Sequence, residues 1–216
     1  MIAPPSHEHH VPGLGHARLT PLYDIVTRLV GMPAVHDRLL RQSDVRPDHR
    51  VLEIGCGTGN LALRVKRAQP GAHVAGIDPD SRAVVIAQGK AARAGFDIDW
   101  TSGVAQRLPY PDGAFDRVLS SLMLHHLDTE QRSAALAEAR RVLAVDGSLH
   151  VVDLGGTTDH KDGFITRKLA RTARLADNYH DQLVTSLTDA GFTRVVEVEH
   201  RVSRVLGRIT FYRAER

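Results

Sequence analysis

Residues 51–60, Val-Leu-Glu-Ile-Gly-Cys-Gly-Thr-Gly-Asn, constrain the fold more than any other stretch of the chain. Val51, Leu52 and Ile54 form the kind of apolar run that a parallel strand buried on both faces requires. Glycines then fall at alternate positions, Gly55, Gly57 and Gly59. Glycine adopts backbone conformations denied to other residues and lets the main chain approach a ligand with no side chain between. A second apolar run, His73 to Ile77, ends on Asp78. An acid about 20 residues beyond such a bend is placed to accept hydrogen bonds from ribose hydroxyls. The pair predicts a strand, a glycine bend, a helix and a second strand built around a nucleoside.

The glycine spacing narrows the choice of cofactor. A dinucleotide fingerprint reads GxGxxG, its third glycine allowing helix and strand to pack closely. Here the third glycine comes one residue early and Asn60 stands where that fingerprint needs glycine. No Tyr-x-x-x-Lys pair occurs either, which disfavours a nicotinamide oxidoreductase, and no GxxxxGK sequence follows to cradle phosphates. What remains is an acid, Glu53, followed by GxGxG. Further blocks come in order: Ile77-Asp78-Pro79, Leu108 to Asp116, Leu124-His125-His126-Leu127, and Arg141 to Gly147. A lone GxGxG carries little information, whereas five ordered blocks across residues 45–155 are specific. Together they resemble the class I S-adenosyl-L-methionine (SAM) methyltransferases, and within them the small-molecule branch that includes the ubiquinone/menaquinone C-methyltransferases.

Periodicity places strands near 50–54, 73–77, 97–102, 115–120 and 148–153, with helices near 59–68, 80–94 and 129–143. Strands alternating with helical crossovers imply a parallel, doubly wound α/β sheet. A further helix over 178–190 stops at Gly191, and strand-like runs follow at Arg194–Glu199 and Arg208–Tyr212. The resemblance makes this a Rossmann-like sheet of seven strands with the last antiparallel. Ahead of it, residues 1–15 read as a flexible tail rich in Pro, Gly and His. Leu22, Tyr23, Val26, Leu29 and Val30 then follow helical spacing, Gly31-Met32-Pro33 breaks that helix, and Val35, Leu39 and Leu40 mark another. Residues 16–44 are expected to form an N-terminal helical lid, 45–216 the SAM-binding domain, and 155–180 a substrate-covering segment within it.

In an open α/β sheet a ligand sits beyond the carboxyl ends of the strands. Gly55, Cys56, Gly57 and Gly59 lie there. The resemblance sets Glu53 near the methionine end of the cofactor, Asp78 and Pro79 at the ribose, Val104 and Ala105 at the adenine, and Ser120 at the end of the fourth strand. Relatives usually carry an acid where Val104 stands. Valine packs against a ring but accepts no hydrogen bond, so adenine is expected to be held more weakly or differently. Past the fourth strand come His125 and His126, where the methyl group should point. An imidazole with an ordinary pKa of about 6.5 could take a proton from a phenol or hydroquinone; shaping the pocket without moving a proton is the plainer role. Arg167, Arg171 and Arg174 share a helical face that is either solvated or a rim for an acidic acceptor. His16 and Tyr23 are candidate lid residues. His7, His9 and His10 belong to the tail, and no metal site is expected.

A chain of 216 residues with one cysteine and a net charge of +3 fits one domain without internal disulfides, and its charge is too small to argue for nucleic acid. DNA amino-methyltransferases carry Asn/Asp/Ser-Pro-Pro-aromatic after the fourth strand, where this chain reads Ser-Ser-Leu-Met-Leu-His-His. Cytosine C5 enzymes need a catalytic cysteine, and Cys56 stands in the glycine bend. No apolar run reaches the roughly 20 residues of a membrane span, and no secretory signal opens the chain. The expectation is a cytoplasmic SAM-dependent methyltransferase that moves a methyl group by in-line displacement to a small, aromatic or lipophilic acceptor. A weakly active SAM-binding module and a protein methyltransferase are the alternatives. The oligomeric state stays open, with a homodimer allowed.

Overall fold

The computed structural model describes residues 31–155, 182–203 and 207–216. The first expected helix, His7, His9, His10, His16 and Tyr23 lie outside them, as do Arg167, Arg171 and Arg174. The described elements are helix α1 (Met32–Ser43), β1 (Arg50–Ile54), α2 (Asn60–Ala68), β2 (His73–Asp78), α3 (Ser81–Ala94), β3 (Asp99–Ser102), β4 (Phe115–Ser121), α4 (Thr129–Val142), β5 (Leu143–Leu154), α5 (Gln182–Asp189), β6 (Thr193–Ser203) and β7 (Gly207–Glu215). A short 3-10 turn, Leu124–His126, lies between β4 and α4.

The strands form one seven-stranded sheet in the order β3-β2-β1-β4-β5-β7-β6. The first five are parallel; β7 runs antiparallel between β5 and β6. Winding reverses between β1 and β4, so the crevice at their carboxyl ends is the topological switch point. Alternate residues of the central strands feed two cores, as a doubly wound sheet demands. Leu52, Ile54, Val118 and Val151 pack with Leu136 and Ala139 of α4 and Leu183 and Leu187 of α5. Val51, Leu119 and Val152 face the other way, against Leu39 of α1 and Leu61 and Val65 of α2.

Boundaries differ from the sequence reading where local chemistry is ambiguous. Gly31-Met32-Pro33, read as a break, is the start of α1: proline tolerates the first turn because its missing N–H would have no helical partner. Strand β5 begins directly at Leu143, where Leu143 pairs with Phe115, and a bulge follows. Asp80 caps α3, accepting from Arg82 N at 2.9 Å.

Two histidines are buried in the layer beneath α1. His150 on β5 lies beside Ser148, at 2.9 Å from its hydroxyl, and burial with the charges of Arg117 and Arg213 lowers its pKa to about 3. Burial and Arg64 lower His36, on α1, to about 4. Both values lie below the ordinary 6.5, so between these pH values the unfolded chain binds the extra protons. Stability is therefore full above pH 6.5 and falls as the solution is acidified toward pH 4. Urea titrations should show this loss, at most about 1.4 kcal/mol per pH unit per histidine, and a His36→Gln/His150→Gln variant should flatten it.

Candidate functional site

The bend after β1 is built by backbone geometry that glycine makes cheap. Gly55 and Gly59 have φ of 74° and 78°. Space forbids larger residues as well: a Cβ at Gly55 would lie 2.8 Å from the Met123 Cβ, and one at Gly59 would lie 2.5 Å from the Trp100 ring. A Cβ at Gly57 meets nothing within 4 Å, so the bend is open there. Gly55 N and Cys56 N both donate to the Ile77 carbonyl, at 2.9 and 3.1 Å, which joins the bend to the end of β2. Cys56 is buried among these turns.

Two acidic side chains hold the bend from either side. Asp78 accepts from Gly57 N at 2.7 Å on one oxygen and from Asp80 N at 2.9 Å on the other. Glu53, 4 % exposed, accepts from Ala62 N at 2.8 Å and so satisfies an open donor in the first turn of α2. Burial raises its pKa to about 8, the Ala62 hydrogen bond opposing and the Asp78 charge adding. Asn60, the residue that broke the dinucleotide pattern, receives Lys90 Nζ at 2.6 Å.

The remaining cofactor candidates ring the same crevice. Gly103 N donates to the Asp78 carbonyl at 3.1 Å, which brings the loop after β3 beside Asp78. Val104 is half-buried and Ala105 buried on that loop; Pro79 is half-buried between Asp78 and the α3 cap. Ser120 lies opposite Ile54 in register, at the carboxyl end of β4. Its hydroxyl is buried without a hydrogen-bond partner, as is that of Ser121. Such a group costs about 1–3 kcal/mol, which a ligand's polar atom can offset.

Beyond β4 the chain turns sharply. Leu122 has φ of 52°, a conformation unfavourable for a bulky side chain by roughly 1–2 kcal/mol. Its N–H is fixed to the Val152 carbonyl at 2.8 Å, Met123 lies over Gly55, and the 3-10 turn begins. Asp153, 1 % exposed at the end of β5, governs that turn. One oxygen accepts from Leu124 N at 2.8 Å and His125 N at 3.3 Å; the other lies 2.5 Å from His125 Nδ1. Burial alone would lower the His125 pKa, but the Asp153 charge and hydrogen bond outweigh it, and the net shift is upward. His126 is exposed and stacks on His125 with ring centroids 4.1 Å apart. The two neighbouring histidines, equivalent in the sequence, thus differ: only His125 is bonded to Asp153.

Comparison with known proteins identifies a domain within the chain. A family described as a methyltransferase domain matches residues 51–147. Those residues form a methyltransferase domain. The chain is similar to a demethylmenaquinone methyltransferase of Thermus thermophilus, 34% identical over 140 residues that cover 63% of each chain. It is also 31% identical to the methyltransferase GfsG of Streptomyces halstedii over 66% of this chain and 54% of that one. The chain thus spans less than two thirds of the length of these relatives. Among solved structures, a SAM-dependent methyltransferase of Methanosarcina mazei superposes with a TM-score of 0.63 at 25% identity, covering 82% of this chain and 96% of that one. The described residues thus have the seven-stranded α/β fold with an antiparallel last strand that the resemblance implied.

Asp153 escaped the sequence reading. Its signal was present, since an acid ends the apolar run Leu149 to Val152 much as Asp78 ends β2, but nothing in the spacing tied it to His125. Trp100, packed against Gly59 and Gly76, was equally hidden. Among the described residues no helix of the methyltransferase domain or its flanks is long and apolar enough to cross a membrane, and no group of three His, Cys, Asp or Glu could hold a metal ion. NMR titration should find His125 with a pKa above the ordinary 6.5, falling in Asp153→Asn.

Proposed function

We propose that the chain is a SAM-dependent methyltransferase whose acceptor is a small aromatic or lipophilic molecule with a nucleophile that must lose a proton. The pairing of His125 with Asp153 carries this reading. The donors and shapes on the crevice suit the cofactor. The Gly55 and Gly59 turns keep the bend free of side chains, Asp78 lies level with it, and the Ser120 hydroxyl is an unpartnered polar atom at the same strand ends. Glu53, Cys56, Gly57, Pro79, Val104 and Ala105 complete the proposed contacts. When bound, SAM supplies a methyl group on a sulfonium whose sulfur leaves as a neutral thioether.

Asp153 holds the Nδ1 side of His125, so the neutral ring presents Nε2 as its basic nitrogen. Nε2 would take the proton of the acceptor hydroxyl or acidic carbon, leaving that atom free to receive the methyl group SAM would supply. The imidazolium that results is stabilised by the buried Asp153 carboxylate, and the proton later passes to solvent. Alignment supplies much of the remaining rate, through Met123 over the bend and the fixed 3-10 turn. The Thermus relative's name, demethylmenaquinone methyltransferase, favours a hydroquinone-like acceptor.

His125→Ala and Asp153→Asn should each lower kcat by about 10²–10⁴ with SAM and a quinol acceptor, and His126→Ala should leave most of the rate. The rate of the unmodified protein should rise with pH through the raised His125 pKa, and Asp153→Asn should move that limb to lower pH. Equal activity of His125→Ala and the unmodified protein would remove the base. On the adenine side, Val104→Asp should tighten S-adenosylhomocysteine binding about tenfold in calorimetry, the value of one regained hydrogen bond.

A further inference from the structure

The connection from β3 to β4, residues 103–114, contains no helix or strand, yet it carries the two proposed adenine contacts, Val104 and Ala105. An irregular segment of this length loses much backbone entropy when it is fixed. One end is tied to the sheet by Gly103 N on the Asp78 carbonyl. The other end is gripped by side chains of α4, chiefly Arg141. Its Nη2 donates to the Leu108 carbonyl at 3.0 Å, and its Nη1 to the Tyr110 carbonyl and to Asp112 Oδ1, both at 2.8 Å. Glu138 holds the guanidinium in place, at 2.6 Å from Nε and 2.8 Å from Nη2, and also accepts from Leu108 N at 2.7 Å. Gly113 N completes the clamp on the Arg141 carbonyl at 3.1 Å.

Resting on the cofactor reading above, we propose that Arg141 and Glu138 are positioning residues for the adenine loop, acting through Leu108 and Tyr110 rather than by touching the cofactor. Ordering of the loop is done before the ligand arrives, so binding does not carry that entropy. The geometry matches the chemistry of arginine: three acceptors on different residues and a bidentate carboxylate need a planar fork, and a lysine ammonium cannot reach them together. Ala105 and Leu108 are both buried in one core cluster, so a shift at the clamped residue is passed to the loop three residues earlier.

Calorimetric titration with S-adenosylhomocysteine tests this on the unmodified protein, Arg141→Lys, Glu138→Gln and Asp112→Asn, with hydrogen exchange of amides 103–107 as a ligand-free readout. Arg141→Lys should bind about tenfold more weakly, with a less favourable entropy and faster exchange at 103–107. Asp112→Asn, which keeps an oxygen acceptor and removes only the charge of the exposed arm, should fall between. In turnover, KM for SAM should rise more than kcat falls. Should Arg141→Lys not fold, Glu138→Gln carries the same expectation. If the variants bind and exchange like the unmodified protein, the clamp is overturned while the cofactor reading stands. If the unmodified protein itself does not bind S-adenosylhomocysteine, both fall.

Discussion

The bend between β1 and α2 is held by two acidic side chains, and the crevice takes its shape from them. Asp78 fixes the outer turn through Gly57 N, and Glu53 fixes the inner one through Ala62 N. Without these bonds, backbone donors at the start of α2 and in the bend would face a buried region unpaired, a cost of about 1–3 kcal/mol each. The acid that ends β2 is therefore part of the scaffold of the bend. Glu53, expected near the methionine end of the cofactor, is bonded to the first turn of α2; burial keeps its carboxyl protonated well above the usual carboxylate range.

Around that bend the crevice is closed by approaches that only small residues permit. Met123 reaches Gly55, and Trp100 reaches Gly59 and Gly76. These contacts link β1, β2, β3 and the turn after β4 into one packed unit. The strained Leu122 is the hinge that brings Met123 over the bend, and the Leu122–Val152 and Leu124–Asp153 bonds compensate it. The backbone strain at Leu122 thus lies where the chain delivers His125 to Asp153, at the level of the glycine bend.

The fold was legible where physics is local and periodic. Apolar runs of period consistent with buried strands, glycines at Gly55 and Gly59, and the Asp80 cap of α3 each act within a few residues, so spacing alone reveals them. Strand ends were less legible. Gly31-Met32-Pro33 reads equally as a stop or a start, and β5 extends back to Leu143 because pairing with Phe115 supplies bonds that local propensity cannot anticipate.

Sequence by itself determined the class of site: a glycine bend, a strand-terminal acid and a pair of histidines after the fourth strand, in an order that resembles one family. It could not rank His125 above His126, because the two neighbours have the same chemistry and differ only in their long-range partner. Tertiary structure decided that, by bringing Asp153 from β5 to His125 Nδ1 across 28 residues of chain. It also decided that Arg141 spans the loop between β3 and β4, a contact made across a strand, a turn and a helix. Hydrogen bonds between distant segments depend on where the sheet sets each strand end, and no local pattern encodes that distance.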